Sequence, residues 1–130
     1  MRRQQSDTTF SPPECSRCMV WLHGFPDQSL DHRKECSSYG HLHSKLPIQL
    51  AESFLLSDDA RSSPAAFVAF NFSGTPGSDA GFPFEMKTVS REVEDARVVL
   101  RHLRRALGGA AATMPIHFVG ISTGAIVASL

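Results

Sequence analysis

Ile116-His117-Phe118-Val119-Gly120-Ile121-Ser122-Thr123-Gly124-Ala125-Ile126-Val127-Ala128-Ser129-Leu130 is the stretch on which the reading of this chain turns. Residues from Ile116 to Val119 read as a short buried strand, Gly120 to Gly124 as a turn, and Ala125 to Leu130 as the start of a helix of small apolar residues. The turn has the form G-x-S-x-G, which this composition produces by chance roughly 0.07 times per chain, so its setting between strand and helix carries more weight than its letters. A serine at the tip of such a turn stands clear of the strand's carboxyl end. Glycines two residues to either side let strand, turn and helix approach one another with no Cβ in the way. Ser122 is therefore the candidate nucleophile. The backbone N–H of Thr123 would face a developing oxyanion at the helix start, with Gly120 and Gly124 as supports.

Working outward, the segment before this strand is an amphipathic helix. Val89, Val93, Ala96, Leu100, Leu103 and Leu107 form one apolar stripe. Ser90 or Thr88 can cap its start, Glu92, Glu94 and Asp95 come early, Arg97, Arg101, Arg104 and Arg105 come late, and Gly108-Gly109 ends it, as the helix dipole and C-cap rules require. The arginines read as a solvated outer face. Before it, the run Ala65 to Phe70 reads as a strand and Ser73 to Asp79 as a loop. Leu46, Leu50 and Phe54, with Ala51 and Leu55 beside them, mark a short helix. Met19 to Leu22 is the first strand, entering a turn at His23-Gly24-Phe25-Pro26. The long polar connection from Pro26 to Ser44 is set aside as functional or mobile. Residues 1–18 read as a polar tail and 19–130 as one domain. Strand, helix, strand, helix, strand, helix with continuous apolar strands predicts an α/β fold: a mostly parallel sheet with helices on both faces.

Composition narrows the function. With 13 basic and 13 acidic residues the chain has no net charge, so nothing electrostatic points to nucleic acid or an anionic membrane. Hydrophobic residues at 42%, taken together with 9 glycines, place it in the globular range. No apolar stretch is long enough to span a membrane, and the N-terminus lacks the apolar core of a signal peptide. Three cysteines cannot complete a disulfide framework, which leads to the expectation of a cytoplasmic protein.

His23-Gly24 ends the first strand, and Gly24-Phe25 can present a backbone N–H toward the same crevice as Thr123, a second oxyanion donor. With that pair in place the residues resemble the α/β-hydrolase superfamily. Val20-Trp21-Leu22-His23-Gly24-Phe25-Pro26 looks like the family's third strand and H-G-x-P oxyanion turn. Asn71-Phe72-Ser73-Gly74-Thr75-Pro76-Gly77-Ser78-Asp79 is similar to its D-x-x-G-x-G-x-S-D loop, with Asn71 where Asp is usual and the second glycine at Gly77. Val119 to Gly124 is similar to its nucleophile elbow. The resemblance implies a sheet in which the first strand seen here lies between the other two, bringing the oxyanion turn and the elbow together at a switch point. The H-G-F-P turn is most familiar from epoxide hydrolases and dehalogenases, whose nucleophile is Asp. Ser122 points instead to esterase, lipase, thioesterase or peptidase chemistry.

In that family the acid and the histidine follow the serine, whereas all six histidines here, His23, His32, His41, His43, His102 and His117, precede Ser122. The expectation is an N-terminal half of a serine hydrolase of the esterase/lipase type, truncated after the elbow. It would act on a small ester-like acyl substrate through an acyl-enzyme on Ser122, without a cofactor, and be inactive as this chain alone. The alternative is a non-catalytic fragment or binding module that keeps the half-fold.

Two competing patterns are weaker. Cys15, Cys18, His32 and Cys36 have loosely permissible zinc spacing, but closing that site would compete with the strand between them, so no metal is expected. Ser73 to Ser78 lacks the Gly-Lys-Ser/Thr ending of a phosphate-binding loop. His117 reads as a packing position and His102 as a surface one.

Overall fold

The computed structural model describes residues 15–24, 46–57, 64–75, 78, 81–107 and 113–130. Its elements in chain order are β1 (Arg17–Leu22), α1 (Leu46–Leu55), β2 (Ala65–Ala69), a single 3₁₀ turn (Phe84–Met86), α2 (Val89–Ala106), β3 (Ile116–Gly120) and α3 (Thr123–Ser129). The three strands form one sheet in the order β2-β1-β3, and both pairings are parallel. The molecule is of the α/β class. Because β1 comes first in the chain yet lies in the middle, the connection from β1 to β2 runs one way along the sheet and that from β2 to β3 runs back past β1 to its other side. The carboxyl ends of β1 and β3 therefore lie side by side at a point where the winding reverses.

β1 begins at Arg17, two residues earlier than the apolar run. Ser16 N–H donates to Pro64 O at 2.8 Å and Cys18 N–H to Pro115 O at 3.0 Å, drawing those residues between both neighbours. Alternation along β1 sends Cys18, Val20 and Leu22 to one face, where they pack with Ala96 and Leu103 of α2, Val127 of α3, Phe72 and Met114. Arg17 points to the opposite face, over the Phe54 ring of α1 at 4.8 Å and donating to Ser57 Oγ at 2.7 Å. Full burial of Trp21, Leu22, Val20 and Phe72 stabilises the fold by about 1.5–3 kcal/mol for each large apolar side chain.

In α2, Thr88 is the cap, its Oγ1 accepting from Arg91 N–H at 3.2 Å. The apolar stripe turns inward at Ala96 and Leu103, while Val89 remains exposed. Glu92, legible in the sequence only as an early helix acid, is buried and paired with Lys87. One detail departs from the sequence reading. His117, expected to pack, is exposed: it alternates away from the α2 face on an edge strand. The Pro26 to Ser44 connection, and Gly108-Gly109 after α2, lie outside the described residues. Among the described residues no helix is long and apolar enough to cross a membrane.

Candidate functional site

Ser122 sits between β3 and α3 with φ 54° and ψ −123°. It is the one non-glycine residue at positive φ among those described. Those angles belong to the first central residue of a type II′ turn, a position ordinarily held by glycine. The turn is closed by Gly124 N–H donating to Ile121 O at 2.9 Å, and Ala125 N–H then donates to Ser122 O at 3.0 Å to begin the helix. A serine held this way costs about 1–3 kcal/mol of backbone strain. The side chain of Ser122 is exposed and makes no capping bond, so the conformation is imposed by its neighbours rather than by its own hydroxyl.

Those neighbours require glycine at both flanks. A Cβ on Gly120 would overlap the backbone of Gly124 and Ala125, and one on Gly124 would overlap the carbonyls of Leu22 and His23, all closer than 3.0 Å. Neither has a positive φ; each is needed for close approach. The second overlap also locates the turn. α3 enters directly against the end of β1, and Ile121 N–H donates to Leu22 O at 3.2 Å. The structure thus brings the residues after β1 and the turn around Ser122 into contact, although nearly a hundred positions separate them in the chain.

Thr123 is the first residue of α3, where helix geometry supplies no carbonyl for the backbone N–H. Its Oγ1 is buried with no hydrogen-bond partner among the described residues, an arrangement that costs about 1–3 kcal/mol. His23 and Gly24 are both buried. The His23 Nε2 accepts from Phe72 N–H at 3.1 Å. That nitrogen is therefore unprotonated, and Nδ1 carries the hydrogen that is donated to Gly24 O at 2.9 Å. His23 is a neutral bridge between the end of β1 and the segment after β2, with both ring nitrogens occupied. Phe25, the other expected oxyanion donor, lies outside the described residues.

The segment after β2 is tied to α2 by contacts that the sequence did not announce. Asp95 accepts from Ser73 N–H at 2.7 Å and from Ser73 Oγ at 2.9 Å, and Arg91 Nε lies 3.5 Å from the same carboxylate. Thr75 Oγ1 donates to Phe72 O at 2.6 Å. Lys87 and Glu92 form a buried ion pair, with the ammonium 5.0 Å from the centre of the Phe72 ring. Asp95 and Glu92 carried only a helix-dipole signal in the sequence, because their partners come from loops with no periodic pattern.

Cys15 and Cys18 are free thiols, while His32 and Cys36 lie outside the described residues. Burial pushes the Cys18 thiol above its ordinary value, neighbouring Cys15 adds to the shift and Arg104 opposes it. Among the described residues no group of three or more His, Cys, Asp or Glu side chains is placed to hold a metal ion. No protein-family model matches the chain, and no curated protein matches it.

Proposed function

We propose that the chain carries the nucleophile of a serine hydrolase of the α/β-hydrolase type, acting on an ester-like acyl substrate. The observation that carries the reading is Ser122 itself: a non-glycine residue held at φ 54° in a glycine position, at the carboxyl end of a parallel strand, between two glycines that tolerate no Cβ. Nothing in packing needs a serine there, and strain of this kind collects at functional sites. The strand order β2-β1-β3 also supports the reading, since it sets the carboxyl end of β1 beside the turn that holds Ser122.

In this reading Ser122 Oγ attacks the acyl carbonyl carbon, and the backbone N–H groups of Thr123 and Phe25 bind the oxyanion that forms. The bond to the leaving oxygen breaks as the serine's proton passes through a base to that oxygen. Water then cleaves the acyl-serine, releasing the acid and restoring the hydroxyl. His23 is not that base, because its Nε2 is held by Phe72 N–H and its Nδ1–H by Gly24 O. All six histidines precede Ser122, against the order of the family, and without a base the chain alone leaves p-nitrophenyl acetate at the Ser122→Ala background. The occupied state of His23 is also what favours the second reading, a binding module that keeps the turn without turnover.

The test is labelling of the intact gene product by a fluorophosphonate. Labelling at Ser122 that disappears in Ser122→Ala supports the hydrolase; equal labelling of both proteins removes the nucleophile, and none in either leaves the binding module.

A further inference from the structure

The ladders of β1 end just before the place where the Ser122 turn leans on it. Toward β2 the last paired residues are Trp21 and Ala69, and toward β3 they are Leu22 and Gly120. His23 lies past both ladders, yet its carbonyl and that of Leu22 are the groups against which Gly124 is seated. Leu22 O also accepts from Ile121 N–H at 3.2 Å. On the β2 side a side chain takes over from the ladder. Phe72 N–H donates to His23 Nε2 at 3.1 Å, the two ring centres lie 4.8 Å apart, and His23 Nδ1–H donates to Gly24 O at 2.9 Å. The Phe72 end is itself fixed, because Asp95 of α2 accepts from the N–H and the hydroxyl of the next residue, Ser73, at 2.7 and 2.9 Å. Phe72 is wholly buried and His23 is 1% exposed, so bulk water does not reach the bond between them.

We propose that His23 is a positioning residue for Ser122: by bridging to Phe72 it holds the end of β1 in place, and that end keeps the Ser122 turn in its strained form. The consequence for catalysis rests on the hydrolase reading above. His23 touches no reacting atom. Peptide units are planar, so a ring anchored at one nitrogen to Phe72 and at the other to Gly24 O leaves the Leu22 and His23 carbonyls little freedom to turn. Were those carbonyls to withdraw, α3 would shift and Ser122 would leave φ 54° for an ordinary conformation, releasing the strain. The direction of Oγ follows the backbone angles, so a relaxed turn aims the hydroxyl elsewhere.

The experiment compares pairs of variants of the intact gene product. In the wild-type background Ser122→Gly is expected to unfold in urea roughly 0.5 M above Ser122→Ala, the sign of a residue held in a glycine conformation. With His23→Asn in both proteins that gap shrinks to less than about half, because asparagine is too short to reach Phe72 N–H although it keeps a donor for Gly24 O. His23→Gln, whose longer side chain brings an acceptor to Phe72 N–H, restores most of the gap. The comparison cancels whatever the His23 substitution costs the fold elsewhere, so a merely structural histidine leaves the gap untouched. Should His23→Asn not fold, His23→Leu, which packs on the Phe72 ring without either hydrogen bond, is read the same way. Phosphonylation of Ser122 supplies the catalytic readout. In His23→Asn its first-order rate at saturation falls about tenfold with little change in the probe's binding constant, and His23→Gln recovers most of it. No gap in the wild-type background, an undiminished gap in a folded His23→Asn or His23→Leu protein, or a wild-type rate where the gap has closed overturns the positioning role. Absence of labelling in the wild type removes the hydrolase reading, and the gap alone then decides whether His23 holds the turn.

Discussion

Replacing Ser122 by glycine should make the protein more stable, although it removes the residue that matters most to the proposed chemistry. The backbone at Ser122 has φ 54° and ψ −123°, and its side chain makes no capping bond. Relief of strain at such a position is worth about 1–3 kcal/mol. Glycine also gives the unfolded chain more freedom, which costs about 0.5–1 kcal/mol. The difference leaves Ser122→Gly about 0.5–2 kcal/mol more stable than Ser122→Ala, which loses the same hydroxyl but keeps the Cβ. Alanine is the proper reference because the two variants then differ only in backbone tolerance. In urea, with a slope of about 1–3 kcal/mol per molar, the unfolding midpoint of Ser122→Gly should lie roughly 0.5 M above that of Ser122→Ala with the slope unchanged. An equal or lower midpoint would refute the claim that Ser122 is held in a glycine conformation, and with it the chief support for the nucleophile. A changed slope would mean that the unfolded state, not the turn, had been altered.

Four further outcomes follow from the same geometry. Gly124→Ala should destabilise by about 1–3 kcal/mol or more, since its Cβ meets backbone carbonyls that cannot swing aside; thermal unfolding reads it. Thr123→Val should stabilise by roughly 1 kcal/mol, because the buried Oγ1 has no partner among the described residues, while the backbone N–H and Ser122 labelling survive. Thr88→Ala should cost about 1 kcal/mol through loss of the α2 cap, read from its urea midpoint. Stability should fall at alkaline pH in the wild type and less so in Cys18→Ala. The folded-state Cys18 thiol titrates above its ordinary value of 9.0, so folding favours the protonated form and that contribution is lost as pH rises through the folded value. A pH-stability profile that is the same in both proteins would reject it.

What could be read from the sequence is what local geometry dictates. The spacing of Gly120, Ser122 and Gly124 announces a crowded strand-to-helix turn, because only a missing side chain explains two glycines around a serine there. The long stripe from Val93 to Leu103 announces α2, because a period of 3.6 has no other reading. What escaped notice depends on partners far away in sequence. Glu92 reads as an acid favouring a helix start, and only the arrival of Lys87 beside Phe72 makes it a buried half of an ion pair. His23 was legible as a turn residue but not as a bridge, because its acceptor role needs Phe72 N–H from the segment after β2. His117 shows the converse: its apolar neighbours suggest burial, but its exposure is decided by the edge position of β3.

The strain at Ser122 has to be held by something, and the sheet's central strand is what holds it. β1 receives the turn twice: Ile121 N–H donates to Leu22 O at 3.2 Å, and Gly124 lies against the carbonyls of Leu22 and His23. A relaxed Ser122 would have to move α3 off β1, giving up the closing bond from Gly124 N–H to Ile121 O and the burial of Val127 in the core. Those losses exceed about 1–3 kcal/mol of local strain, so the conformation persists without help from the serine's own side chain. His23, next after that strand, donates its Nδ1–H to the Gly24 carbonyl at 2.9 Å and accepts from Phe72 N–H at 3.1 Å. The carboxyl end of β1 is therefore pinned on one side to the segment after β2 and on the other to the turn at Ser122, which is why α3 has no room to swing away and let that serine relax.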